Sequence, residues 1–529
     1  MKASRSTLSF AVAGLALLMG SGFFLGPALS SASEGLPTDV ALETRSPALS
    51  DDPSAIITPA DMYNRIYFLA HDGLRGRDTP SPGLDAAAGY LVSESRRMGL
   101  EPGVDGSFYQ PWPFRLMGTD LEATSLFVLG PAGERALAVG QDAAVRGGTD
   151  LELDHPLMMV GGCNAVPESG QMAGMVAVFC LPVEGPWTRQ AQALANRQAR
   201  FAEAAGAVGT IHLLADGLPA DQLAQMAETM GRPFRMMGND LPGPQIFMSR
   251  DVARMVDPSI PERILELDHG QMEETGTRLS GRMPLEIHDD AHPSNVVALL
   301  PGSDPVLRDE FVVLSAHYDH VGVGEPVDGD SIRNGADDNA SGTAALLEVA
   351  RALTAMPEAP RRSVLFVWVA GEEKGLLGAE WFADNSPFPT DQMVANINAD
   401  MISGNAHADS LIVIGKEYST LGALVDEVNA EMDTGLITSD DIWPEQRFFF
   451  RSDQFHFMRK EIPALFFFAG LHECYHRPCD TIDFVDYEKA TKIARLMTNS
   501  VIEIANRDER PQWYPERLVE VREMTAGGR

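Results

Sequence analysis

Four apolar runs in the second half of the chain each lead into a residue able to bind a metal ion. Phe311-Val312-Val313-Leu314 delivers His317 just past its end, and Ser363 to Ala370 delivers Glu372 and Glu373. Val394-Ala395-Asn396-Ile397-Asn398 leads to Asp400, and Pro463 to Phe468 leads to a loop holding His476. The runs are short, rich in β-branched and aromatic residues, and apolar throughout, the pattern of strands buried on both faces of a parallel sheet. Helical patterns lie between them, over Thr343 to Thr354, Leu376 to Asp384 and Thr420 to Met432. Strand alternating with helix predicts a three-layer α/β/α sandwich around a mostly parallel, mixed sheet. In such sheets ligands gather beyond the carboxyl ends of the strands, where all of these candidates stand.

One more segment, Gly335-Ala336-Asp337-Asp338-Asn339-Ala340-Ser341-Gly342, combines a glycine-bounded loop, paired Asp and a cap-like Ser before an apolar helix. Each motif alone has a plainer reading. Glu372-Glu373 suits an acidic helix start, Asp400 a strand end, and His317-Tyr318-Asp319-His320 a surface cluster in which His320 is a bystander. Taken together, the order His, Asp, Glu-Glu, Asp, His favours a metal centre. Zinc takes His nitrogen and carboxylate oxygen and, in catalytic sites, keeps one position open. Two ions held roughly 3.5–4 Å apart need a carboxylate whose two oxygens span them. Of the adjacent glutamates, one then binds metal and the other stays free to move a proton.

From His317 to Thr481 these segments resemble the co-catalytic dizinc exopeptidases, a family that includes bacterial leucyl aminopeptidases and, more distantly, glutamate carboxypeptidase. The resemblance implies two zinc ions per chain. It makes Asp337 the bridge, with His317 and Asp400 completing one shell and Glu373 and His476 the other. It assigns the general base to Glu372 and the orienting of the ligating imidazole to Asp319. Tyr475 stands where some relatives use a tyrosine to stabilise an oxyanion, and Asp338 follows the bridge, where relatives have an unusual peptide geometry. Ser452-Asp453-Gln454-Phe455-His456-Phe457 resembles the family's pocket loop, with Gln454 where His is more usual. Met401, Phe448, Phe449, Phe450 and Phe455 are the apolar candidates for the first side chain of a peptide.

The activity implied is an aminopeptidase acting on peptides. A carboxypeptidase, dipeptidase or other amidohydrolase would share the same machinery. Retention of every candidate ligand and of Glu372 speaks against a decayed binding protein of the transferrin-receptor type.

Composition narrows the partners. The 529 residues carry a formal charge of −34, with 44% hydrophobic and 22% charged residues. That is a globular composition and argues against nucleic acid or an anionic membrane as partner. Lys2 and Arg5, an apolar stretch from Leu8 to Leu25 and small residues up to Ala32 predict a signal peptide over 1–32. Export to periplasm or medium follows, with no stable membrane association after cleavage; an uncleaved anchor is the alternative reading. Residues 33–54 form a linker, 55–117 the N-terminal part of the peptidase domain, 286–510 its catalytic part and 511–529 a tail. Between them, 118–285 has the short β-type runs of an insertion resembling the protease-associated domain. Oligomeric state stays open.

An even cysteine count in an oxidising compartment favours disulfides. Cys474 and Cys479 bracket His476, and Cys163 and Cys180 would form the second pair. A zinc site built from Cys474, His476 and Cys479, or four buried thiols, are the competing readings.

Overall fold

The computed structural model describes residues 52–526, apart from 164–170, 183–187, 238–242 and 405–408. The predicted signal peptide and nearly all of the linker lie outside the described residues. No helix among those described is long and apolar enough to cross a membrane.

Seven strands form the body of the main sheet: β1 (Ser294–Leu300), β2 (Phe311–His317), β3 (Ser363–Val369), β4 (Met393–Ala399), β5 (Ser410–Ile414), β6 (Ile437–Ser439) and β7 (Ala464–Phe468). Their order is β1-β3-β2-β4-β7-β5-β6, and Glu101–Pro102 and Tyr109–Pro111 pair on the outer side of β1. The four central strands β3, β2, β4 and β7 are parallel. β1 and β5 run antiparallel to β3 and β7, so the sheet is mixed. Every residue of the four central strands is buried, which explains their unbroken apolar runs. β2 extends through His317 instead of stopping at Leu314.

The helices used below are α1 (Pro59–Leu69), α2 (Pro82–Arg97), α3 (Arg189–Ala204), α4 (Gly342–Thr354), α5 (Leu377–Asp384), α6 (Thr420–Met432) and α7 (Tyr487–Asn506). Successive strand residues point to opposite faces. Val312, Leu314 and Ala316 of β2 therefore pack with α1, α2, α4, α6 and α7, while Val313 packs on the side of α5. This is the three-layer sandwich.

The segment expected to be a tail is part of it. Residues Pro515–Ala526 form a helix whose Val521 is buried on the α5 side, and Trp513 Nε1 donates to the Glu461 carbonyl at 2.7 Å. Its highly charged sequence concealed the apolar positions, Val521 and Met524, that dock it.

Between Phe114 and Ala291 the strands build two further sheets. Phe114–Thr119 pairs with both Phe234–Met237 and Leu285–Ala291, and an eight-stranded sheet lies between Ser125 and Met283. The change of sheet thus falls at Phe114 and Ala291, not at 118 and 285, because the entering and leaving strands pair with each other. The structure joins Cys163 to Cys180 here. Within the larger sheet His212 is fully buried between the rings of Phe179 and Phe247, with centroids 6.0 and 4.8 Å away. Its Nδ1 lies 3.2 Å from Gln198 Oε1 on α3 and its Nε2 3.1 Å from Thr210 Oγ1. Burial pushes the His212 pKa down to about 3.

Candidate metal centre

The loop before α4 supplies the middle of the site. Gly335 adopts φ +63°, and a Cβ there would lie 2.2 Å from the Asp338 carbonyl and 2.5 Å from the His320 ring. Only glycine lets the turn fold back so tightly. The two following aspartates then part company. Asp337 accepts hydrogen bonds at Oδ1 from Ser403 N (2.8 Å) and Ser403 Oγ (2.6 Å), and at Oδ2 from Gly404 N (3.0 Å). His472 Nε2 lies 3.3 Å from the same Oδ2. Asp480, itself buried, accepts from the backbone N–H groups of both Asp337 (2.8 Å) and Asp338 (3.1 Å).

Asp338 stands between two histidine clusters. Its Oδ1 is 3.4 Å from His317 Nε2, which lies 3.2 Å from Asp400 Oδ1. Its Oδ2 is 3.2 Å from His476 Nε2, which lies 3.0 Å from Glu373 Oε2. His320 Nδ1 joins the second cluster, 2.8 Å from Glu373 Oε1 and 3.7 Å from Asp338 Oδ2. The donor atoms form two groups: His317, Asp338 and Asp400 in one, and His320, Asp338, Glu373 and His476 in the other.

Two corrections to the sequence reading follow. The residue with an oxygen in each group is Asp338, not Asp337, whose carboxylate is committed to Ser403, Gly404 and His472. His320 is no bystander, since its ring enters the Glu373 group.

The donors fit zinc. Ligands about 2.0–2.1 Å from an ion in a tetrahedral shell stand roughly 3.3 Å apart, close to the 3.0–3.4 Å separations of the His317 and His476 nitrogens from their carboxylates. Glu373 Oε1, Asp400 Oδ1, His476 Nε2 and both ring nitrogens of His320 are buried without a hydrogen-bond partner. Buried polar atoms are almost always hydrogen-bonded, so orphans gathered in these two groups are what cations would satisfy.

Loop geometry fixes these donors. The structure joins Cys474 to Cys479 around His476, whose backbone is left-handed at φ +57°. Ser452 Oγ donates to Asp400 Oδ2 at 2.7 Å and accepts from Asn398 Nδ2 at 2.8 Å. Asp319 ties two loops together, accepting from Thr79 Oγ1 at 3.0 Å and from Glu372 N at 3.2 Å. His317 Nδ1 is nearer the Asp319 carbonyl (3.2 Å) than its carboxylate (3.7 Å). The Glu372 loop turns at Gly371, φ +80°, where a Cβ would come within 2.9 Å of the Trp112 ring.

The charges are mutually dependent. Burial, reinforced by the negative Glu373, Asp400 and Asp453 and opposed by His317, raises the Glu372 pKa well above the carboxylate range. Burial raises Asp453 to about 8. For Glu373 burial works the other way from His320 and His476, which prevail and lower it. So dense a set of buried carboxylates calls for positive charge.

Glu372, Asp338 and Asp400 line one pocket with Met401, Phe448, Arg451, Phe466, Phe468, Leu471 and Tyr475. Tyr475 stacks on the His476 ring, centroids 3.8 Å apart, and burial raises its pKa. Of the predicted apolar residues Met401 and Phe448 are present. Phe449, Phe450 and Phe455 instead pack on one another and, through Phe449, on Tyr418, and of the turn Phe448–Phe450 the first ring lines the pocket. Their places are taken by Phe466 and Phe468, two residues apart on β7 and so on one face. That spacing was readable in the sequence.

Residues 295–501 match the model of peptidase family M28. The segment carrying the centre is thus similar to that family. A probable leucine aminopeptidase 1 of Trichophyton verrucosum is 28% identical over 225 residues, 40% of this chain and 58% of that one. A probable zinc metalloprotease of Pyrenophora teres f. teres is 38% identical over 117 residues, 22% of this chain and 24% of its own length. Less than two thirds of either relative is therefore spanned. Among solved structures, the aminopeptidase from Aneurinibacillus sp. strain AM-1 aligns over 86% of this chain and 96% of its own, with 19% identity and a TM-score of 0.47.

Proposed function

We propose that this M28 protein is an exported zinc-dependent aminopeptidase that removes apolar N-terminal residues from peptides. The observation that carries the reading is Asp338, with one oxygen toward His317 and Asp400 and the other toward His476 and Glu373. His317, Asp338 and Asp400 would hold one zinc ion; Asp338, Glu373 and His476, with His320 beside them, the second. Zinc in such a pair supplies Lewis acidity and brings the pKa of water into the neutral range.

The chain supplies the rest. Glu372 lies in the same pocket as Asp338 and Asp400. It takes the proton of the attacking water and hands it to the departing amine. Together these carboxylates favour the substrate's α-ammonium group, and Met401, Phe448, Phe466 and Phe468 favour a large apolar first side chain. Tyr475 is the nearby hydroxyl suited to the oxyanion. Export is supported by the basic, then apolar, N-terminus and by the two disulfides, which suit an oxidising compartment.

The test is a panel of peptides, free or blocked at either end, with products read by mass spectrometry. Release of N-terminal Leu, Met or Phe that stops on N-acetylation is the expected result. Trimming of acetylated peptides from the C-terminus would overturn it in favour of a carboxypeptidase.

A further inference from the structure

The pocket beside the metal centre contains groups of both signs. Glu372, Asp338 and Asp400 face it, and so does the guanidinium-bearing Arg451. Arg451 is exposed and lies over the Phe448 ring, its Cζ 4.7 Å from the centroid. In this chain, with its 75 acidic and 41 basic residues, arginines such as Arg65, Arg263 and Arg362 pair with carboxylates. Arg459, seven residues after the Ser452-Asp453 pair begins, binds both Glu380 and Asp384. Among the described residues Arg451 has no such partner, although three carboxylates share its pocket. Its charge is held in place by an aromatic face and left available.

A small pocket that offers carboxylates, an aromatic wall and an unpaired guanidinium is complementary to an ammonium, an apolar side chain and a carboxylate. We infer that Arg451 is a specificity residue that binds a carboxylate of the substrate, so that the preferred substrates are short peptides whose own acid group reaches it. This rests on the aminopeptidase reading and narrows it. A guanidinium binds carboxylate through paired, charge-assisted hydrogen bonds, which a neutral amide cannot reproduce. The acid has two sources, the free C-terminus of a di- or tripeptide or an acidic side chain just beyond the scissile bond.

The experiment compares kcat and KM of the full-length zinc-loaded protein on Leu-Gly, Leu-Gly-Gly and their C-terminal amides. Leu-Asp-amide and Leu-Asn-amide form a second pair, and Leu-p-nitroanilide reports basal activity. The free acids should exceed their amides in kcat/KM by roughly tenfold or more, mainly through KM, the scale of one charge-assisted contact. Arg451→Gln should bring that acid-to-amide ratio to about one, and Arg451→Lys should restore part of it. A preference seen only for Leu-Asp-amide over Leu-Asn-amide, and lost in Arg451→Gln, would locate the same recognition on a side chain. Equal kcat/KM for acids and amides in the parent, or a ratio unchanged in Arg451→Gln, would overturn the inference while leaving the anilide cleaved. An uncleaved anilide together with uncleaved Leu peptides would instead overturn the aminopeptidase reading, and this one with it.

Discussion

Asp337 and Asp338 carry the same side chain one peptide apart and are set to opposite tasks. One is consumed by hydrogen bonds from Ser403 and Gly404; the other keeps its oxygens for the two histidine clusters. Asp338→Asn should accordingly lose zinc from both positions, read as metal per chain after dialysis, with secondary structure retained. Asp337→Asn should retain zinc more fully but lower the melting temperature. It weakens a buried acceptor of several hydrogen bonds, a loss of about 1–3 kcal/mol. The reverse pattern would return the bridge to Asp337. Glu372→Gln should bind zinc as the parent does while turnover falls by roughly 10²–10⁴-fold, the usual worth of a general acid–base group. Parental turnover would remove Glu372 from its role. The sequence displayed the residue types that stand at or just past the end of a buried strand, as His317, Glu372, Glu373 and Asp400 do. It did not display which aspartate of the pair turns inward, since a tight turn changes direction at every residue. His320 was hidden for a related reason: its partner Glu373 lies more than fifty residues away.

At the scale of elements, the strands were legible and the loops between them were not. An unbroken apolar run such as Ser363–Val369 has one stable destination, the middle of a sheet covered on both faces. The loop from Ala469 to Asp480 has no such pattern, yet it carries His472 and Asp480 to Asp337 and His476 to Glu373. Its disulfide closes a short ring around His476, whose positive φ is a conformation that non-glycine residues keep only when their surroundings enforce it. Cys474→Ser with Cys479→Ser should therefore leave the far-ultraviolet circular dichroism unchanged and weaken zinc affinity by roughly 10–100-fold, as loss of supporting contacts around metal ligands usually does. Unchanged affinity in a chelator competition would show that the bridge only protects the loop. The aromatic turn at Phe448 was legible as apolar but not as to aim. Which ring of three enters a pocket depends on the path of the turn.

For the whole molecule, the sheets of residues 114–291 carry their own response to acid. His212 is neutral between two phenylalanine rings, its pKa pushed down to about 3 by burial, whereas in an unfolded chain it is near 6.5. Below pH 6.5 the unfolded form takes up a proton that the folded form refuses. Stability therefore falls as the pH is lowered from 6.5 toward 3, by at most about 1.4 kcal/mol per unit, and is unaffected by this group above 6.5. Hydrogen exchange of the strand Gly209–Leu214 should accelerate between pH 7 and pH 5, after correction for intrinsic rates, and His212→Gln should flatten the dependence. An identical slope in that variant would assign the acid sensitivity elsewhere.

The extent of the family match and the extent of the folding unit are different quantities in this chain. Arg77, fully buried, donates to the carbonyls of Leu69, Tyr318, Asn334 and Gly335, the last two of which lead directly into the turn that bears Asp338. Thr79 holds Asp319, and Trp112 backs the Glu372 loop. All three residues precede position 295, where the match begins, and most of the sheets of residues 114–291 lie in sequence between them and the residues they support. A gene fragment cut at the edges of the recognised segment would encode every metal donor and still leave the backbone around them without its clasp. The metal centre is thus supported by residues on both sides of the sheets of residues 114–291, and its structural support starts well upstream of its recognisable segment.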